Sequence, residues 1–199
     1  MQPATDTTSP GVEKTVSRYL VDAGRSTFTL QAFSTGILSA FGHNPRIAIR
    51  EIKGDVQFSL ADGVVSDTHV HIAIDPRSLE VIDDISDKDR REIQRQMYDE
   101  VLEVERYREI DYDCPRVTID GSGDQFSATL SGELTLHGET HLLAVPARVS
   151  ITGDTLKASG GFAVSQRQFG IAPVTVAGGA IKLKDEVKCT FNIVARKQV

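Results

Sequence analysis

No stretch of the chain approaches the ~20 consecutive apolar residues that a membrane-spanning helix needs, so no transmembrane helix is expected. Basic residues are the scarcer charge: 22 Lys and Arg stand against 28 Asp and Glu, a formal charge of −6. Affinity for a phosphate backbone comes mainly from clustered Lys and Arg that release counterions, so nucleic acid is not an expected partner. Catalytic signatures are missing too. There is no glycine-rich phosphate loop, no HExxH and no G-x-S-x-G elbow, and the acids Asp99, Glu100, Glu103 and Glu105 read as a solvated face rather than a carboxylate dyad. Only two cysteines occur, Cys114 beside Pro115 and Cys189 far downstream. They match no metal or redox spacing and read as buried, inert thiols. The opening stretch MQPATDTTSPGVEKTVSRYL lacks an apolar core and carries acids where a secretory signal carries bases. A cytoplasmic location is the expectation.

What is present is alternation. Phe126, Ala128, Leu130, Gly132, Leu134 and Leu136 share one face, and Ser127, Thr129, Ser131, Glu133 and Thr135 the other, which is the period of two of a half-buried strand. After the break at His137 to Thr140 the pattern returns in Leu143, Val145, Ala147, Val149 and Ile151. After Thr152-Gly153-Asp154 it returns in Leu156, Ala158, Gly160, Phe162 and Val164, giving an antiparallel meander with one greasy face. At 199 residues, 40% hydrophobic and 25% charged, the chain suits one domain.

Residues 1–15 are rich in Thr, Ser and Pro and read as a flexible tail; the domain spans 16–199. Arg18 to Val21 and Ser26 to Phe33 predict two short strands in a hairpin around Asp22-Ala23-Gly24. Arg46 to Leu60 predicts one long strand whose apolar phase slips from Ile47 and Ile49 to Ile52, Val56 and Phe58, implying a β-bulge near Arg50-Glu51. Val64 to Ile74 follows. From Ile85 to Val104 the spacing of Ile93, Met97, Val101 and Val104 predicts a helix capped by Ser86 or Asp87. Strands resume at Arg116 and end with Glu186 to Ala195. The sum is an all-β fold: a single antiparallel eight-stranded, lipocalin-like barrel with one inserted α-helix around residues 87–105.

A barrel of this size either fills its interior with side chains or holds one ligand. Ala128, Gly132, Ala147, Ala158 and Gly160 on the inner face favour a cavity, unless bulky side chains from the helix or the opposite strands fill the space. His69 and His71 share a strand face, the spacing by which two imidazoles grip one zinc with a third ligand from a neighbouring strand. They point away from Val70, Ile72 and Ile74, so solvated histidines are expected and no metal or other cofactor. His137 and His141 flank a turn, and His43 follows an apolar segment at a barrel mouth.

The order of segments resembles the YceI-like family. Phe41-Gly42-His43 in an early loop, the stretch Val101-Leu102-Glu103-Val104-Glu105-Arg106-Tyr107, the hairpin Gly132-Glu133-Leu134-Thr135-Leu136-His137-Gly138, and the turn Arg167-Gln168-Phe169-Gly170-Ile171 are similar to that family's motifs, in order, over residues 16–197. Arg108 stands where the family usually places Pro, and the loop Gly42-His43-Asn44-Pro45 lacks the second histidine of some relatives. The resemblance implies a lipocalin-shaped barrel whose interior holds a polyisoprenoid or another long-chain lipid, with no chemistry performed.

The expected function is therefore non-catalytic binding or carriage of a long-chain apolar lipid. Each CH₂ left in water costs about 0.8 kcal/mol, which suffices to drive a chain into a dry tunnel. Expected lining residues are Phe28, Leu30, Val56, Phe58, Leu134, Phe162 and Phe191, with Phe41 and Phe169 in the loop and turn. His43 and Arg167 are the polar candidates for a head group, although Arg167 equally suits pairing with a carboxylate to fix its turn. A homodimer is also an expectation. The rival from another class is a metal-dependent hydrolase or lyase built on His69, His71 and one of His137 or His141. A third reading is a filled barrel that serves as an interaction or stress-response module.

Overall fold

A computed structural model describes residues 15–35, 44–61, 64–121, 123–176 and 181–198. The first half contains β1 (Thr15–Val21), β2 (Thr27–Gln31), β3 (Ser34–Thr35), β4 (Arg46–Ile49), β5 (Ile52–Ala61), β6 (Val64–Ile74) and β7 (Leu79–Val81), then helix α1 (Asp87–Gln96). The second half contains β8 (Ile110–Asp120), β9 (Gln125–Leu136), β10 (Glu139–Thr152), β11 (Thr155–Ser165), β12 (Thr175–Val176), β13 (Ile181–Leu183) and β14 (Glu186–Lys197). Eight of these pair in the order β1, β5, β6, β8, β9, β10, β11, β14, and β14 pairs back onto β1 at Tyr19↔Lys197 and Val21↔Ala195. The result is a closed antiparallel barrel, which leaves its own strands no free edge. β2, β4 and β7 continue from β14 as a flap, and β3, β12 and β13 form a separate small sheet.

The predicted N-terminal hairpin does not form. β1 and β2 both lie along β14, with Val21 opposite Ala195 and Thr27 opposite Asn192, so the five residues between them face two on the other side. The extra residues coil into a single turn at Ala23–Arg25, whose Asp22 N–H still reaches the Val194 carbonyl. Asp22-Ala23-Gly24 carries turn chemistry, but the turn interrupts one barrel edge instead of reversing the chain.

The predicted long strand at 46–60 is two strands. Arg50 and Glu51 form a corner between β4, which pairs with β2 and β7, and β5, which pairs with β1 and β6. The phase slip marks this change of position, and the true bulge lies between Gln57 and Ser59. β8 begins at Ile110, not Arg116: Ile110 and Tyr112 line the interior, and Cys114 is fully buried where the register shifts between Asp113 and Arg116.

Helix α1 starts where its cap allows, with the Asp89 N–H donating to Ser86 Oγ at 3.1 Å. After Gln96 the helix widens into a π-helical turn over Met97–Val101, and Glu103, with φ of 44°, ends it short of the expected residue 105. Its polar side chains cover the outer edge of β7. Gln94 Nε2 donates to the Leu79 carbonyl at 2.6 Å, the Val81 N–H donates to Gln94 Oε1 at 3.0 Å, and an Arg90 N–H reaches the Val81 carbonyl at 2.9 Å. An edge strand that would otherwise present unpaired backbone is thereby satisfied by side chains.

Candidate functional site

The inward faces of the barrel strands, together with Ile93, Met97 and Val101 of the helical segment, enclose a cavity of about 530 Å³. That volume lies within the range of small-molecule sites. The wall is apolar apart from Thr68, Glu92, Gln96, Tyr112 and Gln166 among the described residues. Every described alternating residue of the meander's greasy face lines it except the two glycines, while Ser127, Thr129, Ser131 and Glu133 on the outer face are exposed. Polar outside and apolar inside is the reverse of a membrane barrel.

Three phenylalanines concentrate at one part of the wall. Phe28 on β2, Phe162 on β11 and Phe191 on β14 have ring centroids 6.0 to 6.4 Å apart. Register explains the cluster, because Phe28 lies directly opposite Phe191 and Gly160 lies opposite Phe191 on the other side. Leu30, Val56, Phe58 and Leu134 line the same cavity. Phe169 does not: it is 2% exposed, beneath the edge of the His141 ring at 5.1 Å, and belongs to the packed core under the Arg167–Phe169 turn. Arg167 is exposed and off the wall. Its backbone N–H donates to Asp185 Oδ1 at 2.9 Å, so the carboxylate fixes the turn through the backbone. Phe41 and His43 lie outside the described residues.

The space above the two inner-face glycines is taken, contrary to the reading of small residues as empty volume. A Cβ on Gly132 would come within 3 Å of the Tyr112 ring and of Cys114, and one on Gly160 would strike the Pro146 carbonyl and the Phe191 ring. The rings need those glycines, and the cavity opens instead over the alanines Ala128, Ala147 and Ala158. Tyr112 is a wall residue that the sequence reading did not include. Its hydroxyl lies within 3.1 Å of the carbonyls of Leu130 and Leu143, and burial pushes its pKa well above the ordinary range. The alternation of Ile110, Tyr112 and Cys114 was the available signal.

The histidines are dispersed. His69 Nε2 meets Asp113 at 2.8 Å and His71 Nε2 meets Asp111 at 2.6 Å, both on the outer face of β6 and β8. His137 sits with Gly138 in the tight β9–β10 turn, where both have positive φ, of 53° and 80°. From there it meets Glu103 at 2.7 Å and packs at a tilt against the Tyr107 ring, centroids 4.2 Å apart, tying the hairpin to the segment after the helix. His141 faces Phe169. The four residues of the rival metal site thus have separate partners, and no group of three metal-ligating side chains converges among the described residues. Cys114 and Cys189 are buried free thiols; burial raises the pKa of both, that of Cys189 to about 12. Among the described residues no helix is long and apolar enough to cross a membrane.

A family model described as a YceI-like domain matches residues 19–195. No curated protein matches the sequence. Among solved structures, Burkholderia cenocepacia BcnA is similar at 18% identity and a TM-score of 0.64, covering 87% of this chain and 98% of its own. A polyisoprenoid binding domain from Saccharophagus degradans is similar at 13% identity and a TM-score of 0.63, covering 90% and 98%. A Campylobacter jejuni YCEI protein is similar at 12% identity and a TM-score of 0.58, covering 79% and 88%. At these identities the likeness shows the fold.

Proposed function

Given that this chain belongs to the YceI-like family, we propose that it binds and carries a long-chain apolar lipid, such as a polyisoprenoid, inside the barrel without performing chemistry on it. The observation that carries this reading is the 530 Å³ cavity with its almost wholly apolar wall. Desolvating a chain at about 0.8 kcal/mol per CH₂ supplies affinity without polar recognition, so the site accepts a class of chains rather than one molecule. The polyisoprenoid in the name of the Saccharophagus degradans domain supports that class of occupant. The wall also offers little to a reaction: Cys189 and Tyr112 are held in their neutral forms by burial, and Glu92 at the rim is paired with Arg95 at 2.7 Å.

The cytoplasmic location and the homodimer belong to this proposal. Two free buried thiols agree with a reducing compartment, and Leu142, 80% exposed on β10, is one apolar side chain that a contact between copies would bury. Cell fractionation and light scattering check these points.

The experiment that tests the carrier reading pairs a titration with a melt. The protein is expected to take up about one equivalent of retinol, a fluorescent isoprenoid alcohol, and Ala158→Phe, which builds a ring into the void, is expected to abolish uptake while keeping its melting transition. A parent that takes up no probe, with a variant that loses its fold, means a filled barrel and an interaction module instead.

A further inference from the structure

Beside the Arg167–Phe169 turn, one polar side chain of the cavity wall is buried without its full complement of partners. Gln166 is 7% exposed and lines the cavity between Val164 and Ile171. Its backbone is fixed on both sides: its N–H donates to the Asp185 carbonyl at 3.0 Å, and its own carbonyl accepts from Phe169 and Ile171, each at 3.0 Å. The side-chain Nε2 donates to the carbonyls of Lys184 at 2.9 Å and Asp185 at 3.2 Å. Two carbonyl oxygens only accept, so the amide is held with its nitrogen toward them and cannot be flipped. Its Oε1 is left over. It accepts no hydrogen bond from the described residues, and it is not a sealed atom, since among those residues no sealed side-chain oxygen or nitrogen lacks a partner.

The rest of the wall does not answer this acceptor. The Tyr112 hydroxyl is spent on the Leu130 and Leu143 carbonyls, the Gln96 amide is engaged by Glu100 at 3.3 Å, and Thr68 makes no hydrogen bond to Gln166. An occupant with no donor that displaces water from Oε1 strands a buried acceptor, which costs free energy. A carboxylate or phosphate sets lone pairs against lone pairs, and Arg167, the adjacent cation in sequence, is exposed and off the wall. A hydroxyl satisfies Oε1 directly. We infer that Gln166 reads the polar end of the occupant, and that the site selects a long-chain molecule ending in a neutral hydrogen-bond donor, a free alcohol, over an anionic head group. This rests on the barrel being a lipid carrier.

The test compares three ligands of one tail: geranylgeraniol, its methyl ether and geranylgeranyl phosphate, each titrated calorimetrically into the whole protein. The alcohol is expected to bind about three- to tenfold more tightly than the ether, the worth of one neutral hydrogen bond. In Gln166→Leu and in Gln166→Met the two should bind alike, at the ether's level. Equal affinity for alcohol and ether in the unaltered protein, or tighter binding of the phosphate, overturns the inference while leaving the carrier intact. Binding of none of the three overturns the carrier itself. The ligand comparison needs no variant, so it decides the matter even if loss of the Gln166 amide unfolds the turn.

Discussion

Gly132 and Gly160 show how one residue type on a strand face supports two opposite readings. Alternation with Leu and Phe places both on the inner face, and there the absence of a side chain suggests room. Only the neighbouring strands reveal that the Tyr112 and Phe191 rings already lie over them. Gly160→Ala is therefore expected to lower stability by about 1–3 kcal/mol in a denaturant melt, the cost of overpacking. An unchanged midpoint would mean that the Phe191 ring does not sit there. The cysteines make a second residue-scale prediction. With both thiols buried and the Cys189 pKa raised to about 12 by burial, native protein at pH 7.5 should release no colour from Ellman's reagent within minutes. Unfolded protein should release two equivalents, and native reactivity would contradict the burial of these side chains.

At the scale of elements, the helix and the β11–β14 connection carry the clearest consequences. Met97 is 7% exposed in the π-helical turn and lines the cavity, so Met97→Asp places an unpaired charge against apolar surface and should cost about 3 kcal/mol or more. A parental melting temperature would show that this face is not packed. Asp185 holds the connection by accepting from Ser165 Oγ at 2.6 Å and from the Arg167 N–H at 2.9 Å. The Ser165 bond above all, then the Arg167 N–H, holds its carboxyl below the usual range, against a smaller opposing effect of burial. A depressed folded pKa means that the contribution is present above the unfolded pKa and fades as pH falls through the folded one. The stability gap between parent and Asp185→Asn should thus be constant near pH 7 and shrink below about pH 4. A gap that persists undiminished at pH 2.5 would rule this role out.

What could be read from the sequence follows the same division. The period of two from Phe126 to Val164 fixes its own register and inner face, because a strand half-buried in a meander answers to its immediate neighbours. The stripe Ile93, Met97 and Val101 likewise faces the cavity as its spacing implies. Arg46 to Leu60 and Arg18 to Phe33 were harder, since a phase slip or a turn signal has the same local form whether the chain bulges, reverses or changes sheet. Gln166 lay beyond sequence reasoning: nothing in the string Ser165-Gln166-Arg167 says that the amide nitrogen is spent on Lys184 and Asp185 while the oxygen is left over on a residue of the cavity wall.

For the whole molecule, the proposed carrier role rests on the apolar interior of about 530 Å³. A closed sheet whose outer residues are polar and whose inner wall is apolar gains stability when a chain fills the void, because an occupant that binds only the folded state shifts the equilibrium toward it. The measurement that tests the central claim most directly is organic extraction of the purified protein with mass spectrometry of the extract, followed by uptake of the same lipid by the emptied barrel. The account predicts close to one long-chain lipid per protein, rebinding at that stoichiometry, and a higher melting temperature in the loaded form. An extract without lipid, from a protein whose melting temperature no long-chain alcohol or fatty acid raises, would contradict it.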